Sequence, residues 1–298
     1  MKIDKKNIPN LDEIVLSAIN LFIKDKLPKI NIGKYKRLLV VGSGNAAVTG
    51  KIIFEKKDAI FADESNYKEK LKAIKEVDKA VLISASGGKH APIIAKELKK
   101  RKINTILITN TKNSLAEKYV NKTYIFPKQT EPYTYNTSTY MGSIISYTQE
   151  NPKEILDYLK NIKKKIPKNF NKYDSYYIIV PNEFDLIREM FLTKFDELFG
   201  PKISGRVFTI EQTKHAKTLV PSDKELFISF GYKNNIFGKN RLNISLPSKF
   251  SYATLLAVGY YIIGHIQKQN KPYFKENIEN YAKEASKMFK QKINPIVE

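Results

Sequence analysis

Short apolar runs recur along the first half of the chain: RLLVV at 37–41, AIFA at 59–62, AVLI at 80–83, TILIT at 105–109 and KTYIF at 122–126. Runs without polar alternation suit strands buried on both faces, as in a parallel sheet covered by helices on each side. Polar stretches of helical length separate them, and residues 11–22 carry an amphipathic helical pattern of their own. Residues 150–172, ENPKEILDYLKNIKKKIPKNFNK, break this rhythm with a charged helix and a basic, proline-containing stretch. The break marks a boundary between domains 1–150 and 151–298. Beyond it the alternation resumes. Strands are expected at 176–180, 206–210, 226–230 and 242–246, with helices at 183–198, from about Tyr252 onward and at 275–290. The pattern predicts an α/β fold of two similar halves, as if one unit had been duplicated.

At 298 residues and 42% hydrophobic, the chain has the material for real cores. It has no cysteine, which excludes disulfides, thiolate metal ligands and a thiol nucleophile and fits a reducing compartment. No apolar run follows the lysines of MKIDKKNIPNLDEIV, so no leader peptide is expected. The longest apolar stretch, Ala253 to Ile266, is shorter than the roughly 20 residues a bilayer requires. A cytoplasmic location without membrane contact is the expectation. The net charge of +22 invites a nucleic-acid partner. The lysines are spread along the whole length, however, and no recognition-helix, zinc-finger or RNA-binding motif accompanies them. The same field attracts small anionic substrates.

Two turns follow predicted strands: GSGNAA at 42–47 and SASGGK at 84–89. In an open parallel sheet, ligands bind beyond the carboxyl ends of the strands. There glycine lets the backbone approach an anion, serine hydroxyls donate to phosphate oxygens, and a helix start adds amide hydrogens. Either turn alone is better explained by glycine relieving strain and serine capping a helix. Neither has the spacing of a dinucleotide or nucleoside-triphosphate loop, so two such turns together point to a small phosphorylated metabolite.

With EPYTYNTSTYMGS at 131–143, these turns resemble the sugar isomerase (SIS) domains, which carry a glycine-serine loop, an S-x-S-G loop, and a glutamate before a helix start rich in threonine and serine. The resemblance implies two SIS-type three-layer αβα subdomains, each with a mainly parallel sheet, and a phosphorylated sugar as ligand. It assigns substrate contacts to Gly42, Ser43, Gly44, Ser84, Ser86, Gly87, Lys89, Glu131 and Thr139. Lys89 stands where the family usually carries threonine.

The second half offers VPNEFD in place of a serine-glycine loop after its first strand. It also carries KFDELFG followed by EQTKHA, which resembles the double-SIS isomerases, among them the bifunctional phosphoglucose/phosphomannose isomerases. Aldose-ketose exchange needs a group to open the ring, a base to move a proton between C1 and C2, and support for the enediolate. By resemblance Glu197 is the base, His215 opens the ring, and Lys283, or alternatively Lys287, reaches the site from the terminal helix. Glu211 is expected to orient His215 or pair with Lys214, and His265, inside an apolar helix, to be a satisfied core residue. The family arginine that follows the phosphate loops has no counterpart, and EPYTYNTSTY looks more like the amino-sugar branch.

The resulting expectation is a cofactor-free and metal-free isomerase of a hexose 6-phosphate, acting as a homodimer. Its alternatives are an amino-sugar phosphate isomerase, deaminase or deglycase of the same fold, and a sugar-phosphate-binding protein without turnover.

Overall fold

A computed structural model describes residues 7–297. Its elements run α1 (Leu11–Lys24), β1 (Leu38–Val41), α2 (Asn45–Phe54), β2 (Ala59–Ala62), α3 (Tyr67–Ala73), β3 (Lys79–Ile83), α4 (Ala91–Lys100), β4 (Asn104–Thr109), β5 (Lys122–Ile125), β6 (Glu131–Pro132) and α5 (Thr137–Thr148). They continue with α6 (Pro152–Ile162), β7 (Ser175–Val180), α7 (Arg188–Phe199), β8 (Ser204–Thr209), α8 (Ile210–Lys214), β9 (Glu225–Phe230), β10 (Asn240–Ile244), α9 (Tyr252–Gln269), α10 (Tyr273–Phe289) and β11 (Ile296–Val297).

The chain divides into two compact units, one of residues 21–128 and 138–149, the other of residues 129–137, those from 150 onward, and the chain up to Asn20. In the first unit five parallel strands lie in the order β2-β1-β3-β4-β5. Side chains alternate along each strand, so Leu39, Leu82 and Leu107 pack with Leu71, Ile94 and Leu98 on one face. Val40, Val81 and Ile106 pack with Ile53 and Phe54 on the other. Both faces are therefore covered, as the unbroken apolar runs require.

In the second unit four parallel strands lie in the order β10-β9-β7-β8. Numbered from its own first strand, this sheet has the same winding as the first one and lacks only a fifth strand. The duplication read from the sequence is thus visible as topology.

Residues 7–20 and 129–137 group with the second unit, which the composition break at 150 does not indicate. Their partners are remote in sequence: the Leu11 N–H donates to Gln267 Oε1 (2.8 Å), and the Tyr135 hydroxyl donates to the Pro9 carbonyl (2.9 Å) while accepting from Gln267 Nε2 (2.9 Å). A Cβ on Gly264 would lie 2.0 Å from the Asp12 nitrogen, so glycine alone permits α1 and α9 to approach this closely. Strand β6 pairs antiparallel with β11.

Two local expectations change. The helix expected at 183–198 is a 3-10 stretch, Asn182–Ile187, kinked internally at Phe184 (φ −111°) and followed by α7 from Arg188. Ile210 opens α8 instead of ending a strand, because Thr209 caps that helix: Thr209 Oγ1 accepts from the Gln212 N–H, and Gln212 Oε1 accepts from the Thr209 N–H. Among the described residues no helix is long and apolar enough to cross a membrane.

Candidate functional site

The order 2-1-3-4-5 reverses direction between β1 and β3, and ligands of open α/β sheets bind in the crevice at such a switch point. GSGNAA leaves the carboxyl end of β1 and SASGGK that of β3, so hydrogen bonding between these strands brings the two turns together. Gly42 is obligatory by contact, since a Cβ there would lie 2.6 Å from the Ala46 carbonyl carbon. Gly44 caps α2 at φ 53°, with no side chain bonded to the first helical amides. Helix α4 likewise lacks a side-chain cap. Uncapped amides at a helix start are what an anion requires.

In the second turn Gly87 has φ 56°, and its N–H donates to Ser84 Oγ (3.2 Å). The Gly88 N–H donates to Ser86 Oγ (3.2 Å). Ser86 and Lys89 are exposed and Ser43 and Ser84 half-buried. Glu131 is buried in β6 and accepts the Thr137 N–H (3.0 Å), which caps the first turn of α5, and Thr139 is buried in that turn.

Glu197 opens into a cleft of about 500 Å³. The end of α7, the Gly200–Lys202 turn, Thr134, and one face of α10 (Tyr273, Phe274, Asn277, Ile278, Tyr281) line it. Lys194, one turn earlier on α7 and fully buried, donates to the Thr134 carbonyl (2.6 Å) and pairs with the Glu197 carboxylate, its Nζ 5.6 Å from the Tyr260 ring centroid. Burial pushes the Glu197 pKa up, and the Lys194 ammonium pulls against it. A partly desolvated carboxylate with a raised pKa and 24% of its side chain still exposed is equipped to take and return a proton. The Tyr133 phenol is also pushed up, first by burial and then by Tyr281 and Glu197, and its ring lies 6.2 Å from that of Tyr281.

His215 caps the end of α8 and is exposed. It and Glu197 lie on opposite faces of the second sheet. On one face Phe195 of α7 stacks on Tyr176 and fills the space a Gly205 side chain would take. On the other face Thr213 of α8 accepts a hydrogen bond from Tyr177, and Lys217 lies over Phe208. Within one chain, then, the sheet separates the imidazole from the carboxylate. Glu211 pairs with Lys214 (2.6 Å), one of the two expected tasks. Lys283 is exposed two positions past Tyr281, off the face of α10 that lines the cleft, and Lys287 pairs with Glu284 (2.9 Å). The structure brings neither lysine to Glu197.

His265 departs from the expected satisfied core residue: its Nε2 is buried and, among the described residues, has no hydrogen-bond partner, lying 3.8 Å from Asp12 Oδ2. Its ring stands edge-on to Tyr261.

The sequence reading missed Lys194, Thr134, Tyr133 and Tyr281. The spacing of Lys194 and Glu197, three apart on a helix, was a readable signal. The others depend on long-range folding.

No family model matches the chain, and no curated protein matches it by sequence. Solved structures do. Glucosamine-6-phosphate deaminase from Thermotoga maritima matches at 17% identity over 87% of this chain and 91% of that one, with a TM-score of 0.64. The C-terminal domain of glucosamine-fructose-6-phosphate aminotransferase from Francisella tularensis matches at 12% identity over 92% and 98%, with a TM-score of 0.65. Tagatose-6-phosphate ketose/aldose isomerase from Escherichia coli matches at 13% over 88% and 89%, with a TM-score of 0.58. These likenesses, on top of the parallel-sheet topology and the glycine-serine turns at its switch point, establish that the fold of this chain is that of the SIS-domain phosphosugar proteins.

Proposed function

We propose that the protein is a phosphosugar isomerase of the aldose-ketose type, acting on a hexose 6-phosphate such as glucose, mannose or fructose 6-phosphate. The observation that carries this reading is the meeting of two glycine-serine turns at the β1/β3 switch point, beside helix starts without side-chain caps. There Ser43, Ser84, Ser86 and the Gly42–Gly44 and Gly87 backbone hold the phosphate, with Lys89 adding charge. By the sequence resemblance Glu131 and Thr139 are further substrate contacts.

Glu197 takes the proton from C2 of the open-chain aldose, the electrons of that C–H bond form the enediolate, and Glu197 returns the proton to C1. The hydroxyl proton moves from O2 to O1, so atoms balance without a redox cofactor. Lys194 keeps the carboxylate fixed between turnovers. His215 opens the sugar ring in a second copy of the chain, because in its own chain the sheet stands between it and Glu197. Leu219 and Val220, each 80% exposed just beyond His215, support burial of that loop against a partner, hence a homodimer. The functional type proposed, on the resemblance of KFDELFG and EQTKHA, is that of the bifunctional phosphoglucose/phosphomannose isomerases. The amino-sugar branch is the second reading, favoured by the stretch 131–140.

The test offers purified protein glucose, mannose, fructose and glucosamine 6-phosphates and measures both product sugar and released ammonia. Isomer exchange supports the first reading and ammonia the second. Glu197→Gln should retain binding and lose turnover by about 1,000-fold, within the range ascribed to a positioned acid-base group. A fully active Glu197→Gln protein would remove the assigned base.

A further inference from the structure

The proton transfer assigned to Glu197 leaves one role without a residue. As the C2–H bond of the open-chain aldose breaks, its electron pair becomes the C1–C2 double bond and the carbonyl electrons pass to O1, which takes on negative charge. A catalyst gains most by meeting charge where it develops. Lys194 is not placed to do so, because it is fully buried and committed to the Glu197 carboxylate and the Thr134 carbonyl. Lys283 and Lys287, expected from the terminal helix, do not line the cleft.

Lys202 does, and among the described residues it is the one cationic side chain in the cleft wall. It ends the Gly200–Lys202 turn that follows α7 directly, where Pro201 fixes the backbone. The side chain is exposed, and among the described residues its ammonium has no hydrogen bond or ion pair, although Asp196 lines the same cleft. The amide of Asn277, another donor in the wall, is already given to the Tyr273 carbonyl (2.7 Å). Helix α7 ends with Asp196 and Glu197 and has no basic residue in its last turn, so two carboxylates stand at the negative end of its dipole. That field draws a cation to the cleft without tying it to one partner.

We propose that Lys202 is a catalytic residue: its ammonium, accessible in the wall of the Glu197 cleft, donates a hydrogen bond to O1 of the bound sugar and stabilises the negative charge that forms there as Glu197 removes the C2 proton. The inference rests on the aldose-ketose reading and adds to it the enediolate support that the terminal helix does not bring. Lys202 stays protonated throughout, Glu197 gains the proton and the enediolate gains the charge. The contact is stronger to the charged oxygen than to the neutral carbonyl, so it lowers the barrier more than it tightens substrate binding.

Lys202→Met and Lys202→Arg test it, and the exposure of the side chain lets both be made without opening the core. Calorimetry gives the dissociation constants of fructose 6-phosphate, neutral at its reacting end, and of 5-phosphoarabinonate, a five-carbon acid whose carboxylate carries charge where the enediolate does. In Lys202→Met the acid should lose about 10- to 100-fold in affinity, the worth of a hydrogen bond to a charged group, while fructose 6-phosphate stays within about threefold. Lys202→Arg should recover most of the loss. The loss should persist at about 0.3 M salt, which screens the field of the chain's other lysines. Turnover in Lys202→Met should fall by about 100-fold in kcat with KM little changed. Unaltered affinity for the acid would overturn the assignment alone. So would an equal loss for both ligands, which marks a contact with the phosphate, or a lowered thermal midpoint with no difference between them, which marks a cation serving only the end of α7. Failure of the unaltered protein to bind either ligand would overturn the assignment and the functional reading together.

Discussion

Replacing Lys194 by methionine probes the site through stability alone, independent of any substrate. The ammonium is fully buried, its partners are the Glu197 carboxylate and the Thr134 carbonyl, and methionine matches most of its volume. Removing one member of a buried pair costs ~3–5 kcal/mol when the surviving charge is sealed from water. Glu197 keeps 24% of its side chain exposed, which lowers that figure, while the Thr134 carbonyl loses its Nζ donor, at a cost of ~1 kcal/mol. The total at pH 8 is about 3 kcal/mol.

The deficit must depend on pH. In the folded protein the Glu197 pKa already stands above its ordinary value. A carboxyl so raised contributes stability below the unfolded value near 4.5, and that contribution is lost as pH rises through the folded value. Without Lys194 the folded value rises further. The carboxyl then takes up its proton more readily as pH falls, and the deficit moves toward the carbonyl's share alone, ~1 kcal/mol. Urea unfolding followed by circular dichroism suits a chain without tryptophan. The Lys194→Met deficit should shrink as pH falls from 8 to 5, and adding Glu197→Gln should restore most of the loss at pH 8. A deficit equal at both pH values, or one that the second substitution does not relieve, would refute the claim that Lys194 is there to balance Glu197.

Gly87→Ala places a Cβ 2.4 Å from Ser114 Oγ at a backbone φ of 56°, so it should cost ~2 kcal/mol or more in urea unfolding, and Ser114→Gly in the same chain should return only the contact share. The buried pair of Asp12 and His265 gives a second pH test. Burial raises Asp12 from 3.8 to about 6, with Lys268 opposing and Glu13 adding, so acidification from pH 6 to 4 stabilises the fold by ~2 kcal/mol through this group. Burial, followed by Lys268 and Lys163, lowers His265 from 6.5 to about 4, so the same acidification destabilises by ~2 kcal/mol. The two nearly cancel. In His265→Phe, which can keep the edge contact with Tyr261, stability relative to the unaltered protein should rise by ~3 kcal/mol between pH 7 and pH 4 in thermal or urea unfolding, and a flat difference would refute the pair.

The strands were legible because both sheet faces are covered: LLVV and AVLI are apolar at every position, a signal that tolerates errors of a residue at each end. The strand order was not, since nothing in an apolar run names its neighbour. The glycine turns of the phosphate site could be read directly, as their need for glycine is local: a Cβ at Gly42 meets the Ala46 backbone four residues on. The surroundings of Glu197 could not. Thr134 reaches Lys194 across 60 residues, and α10 supplies Tyr281 from 84 residues beyond Glu197. The start of α8 was readable and missed: T-I-E-Q at 209–212 is a capping box, and it was read as the end of a strand because Val207, Phe208 and Ile210 are apolar.

The two sheets share a topology but differ in the loops at their switch points, which bears on why the proposed phosphate site falls in only one of them. In the second sheet the switch point lies between β7 and β9, and its loops satisfy themselves. The Asn234 side chain accepts from the Ile236 and Phe237 amides, and Asn243 accepts from the Asn234 amide. The Arg241 guanidinium donates to the carbonyls of Asn235, Ile236, Phe237 and Gly238. At the other loop, Asn182 accepts the Glu211 amide (3.1 Å). Amides committed to asparagine oxygens have little left to offer an anion; in the first unit the Gly87 and Gly88 amides are likewise committed to Ser84 and Ser86, so the contrast rests on the starts of α2 and α4, which have no side-chain cap among the described residues. A duplicated fold needs one anion grip, and a second would compete for the same group without adding chemistry. Freed from that task, the second copy could place a carboxylate and a buried lysine on α7, away from its own switch point, where the balance between burial and a single counter-ion sets the basicity of Glu197.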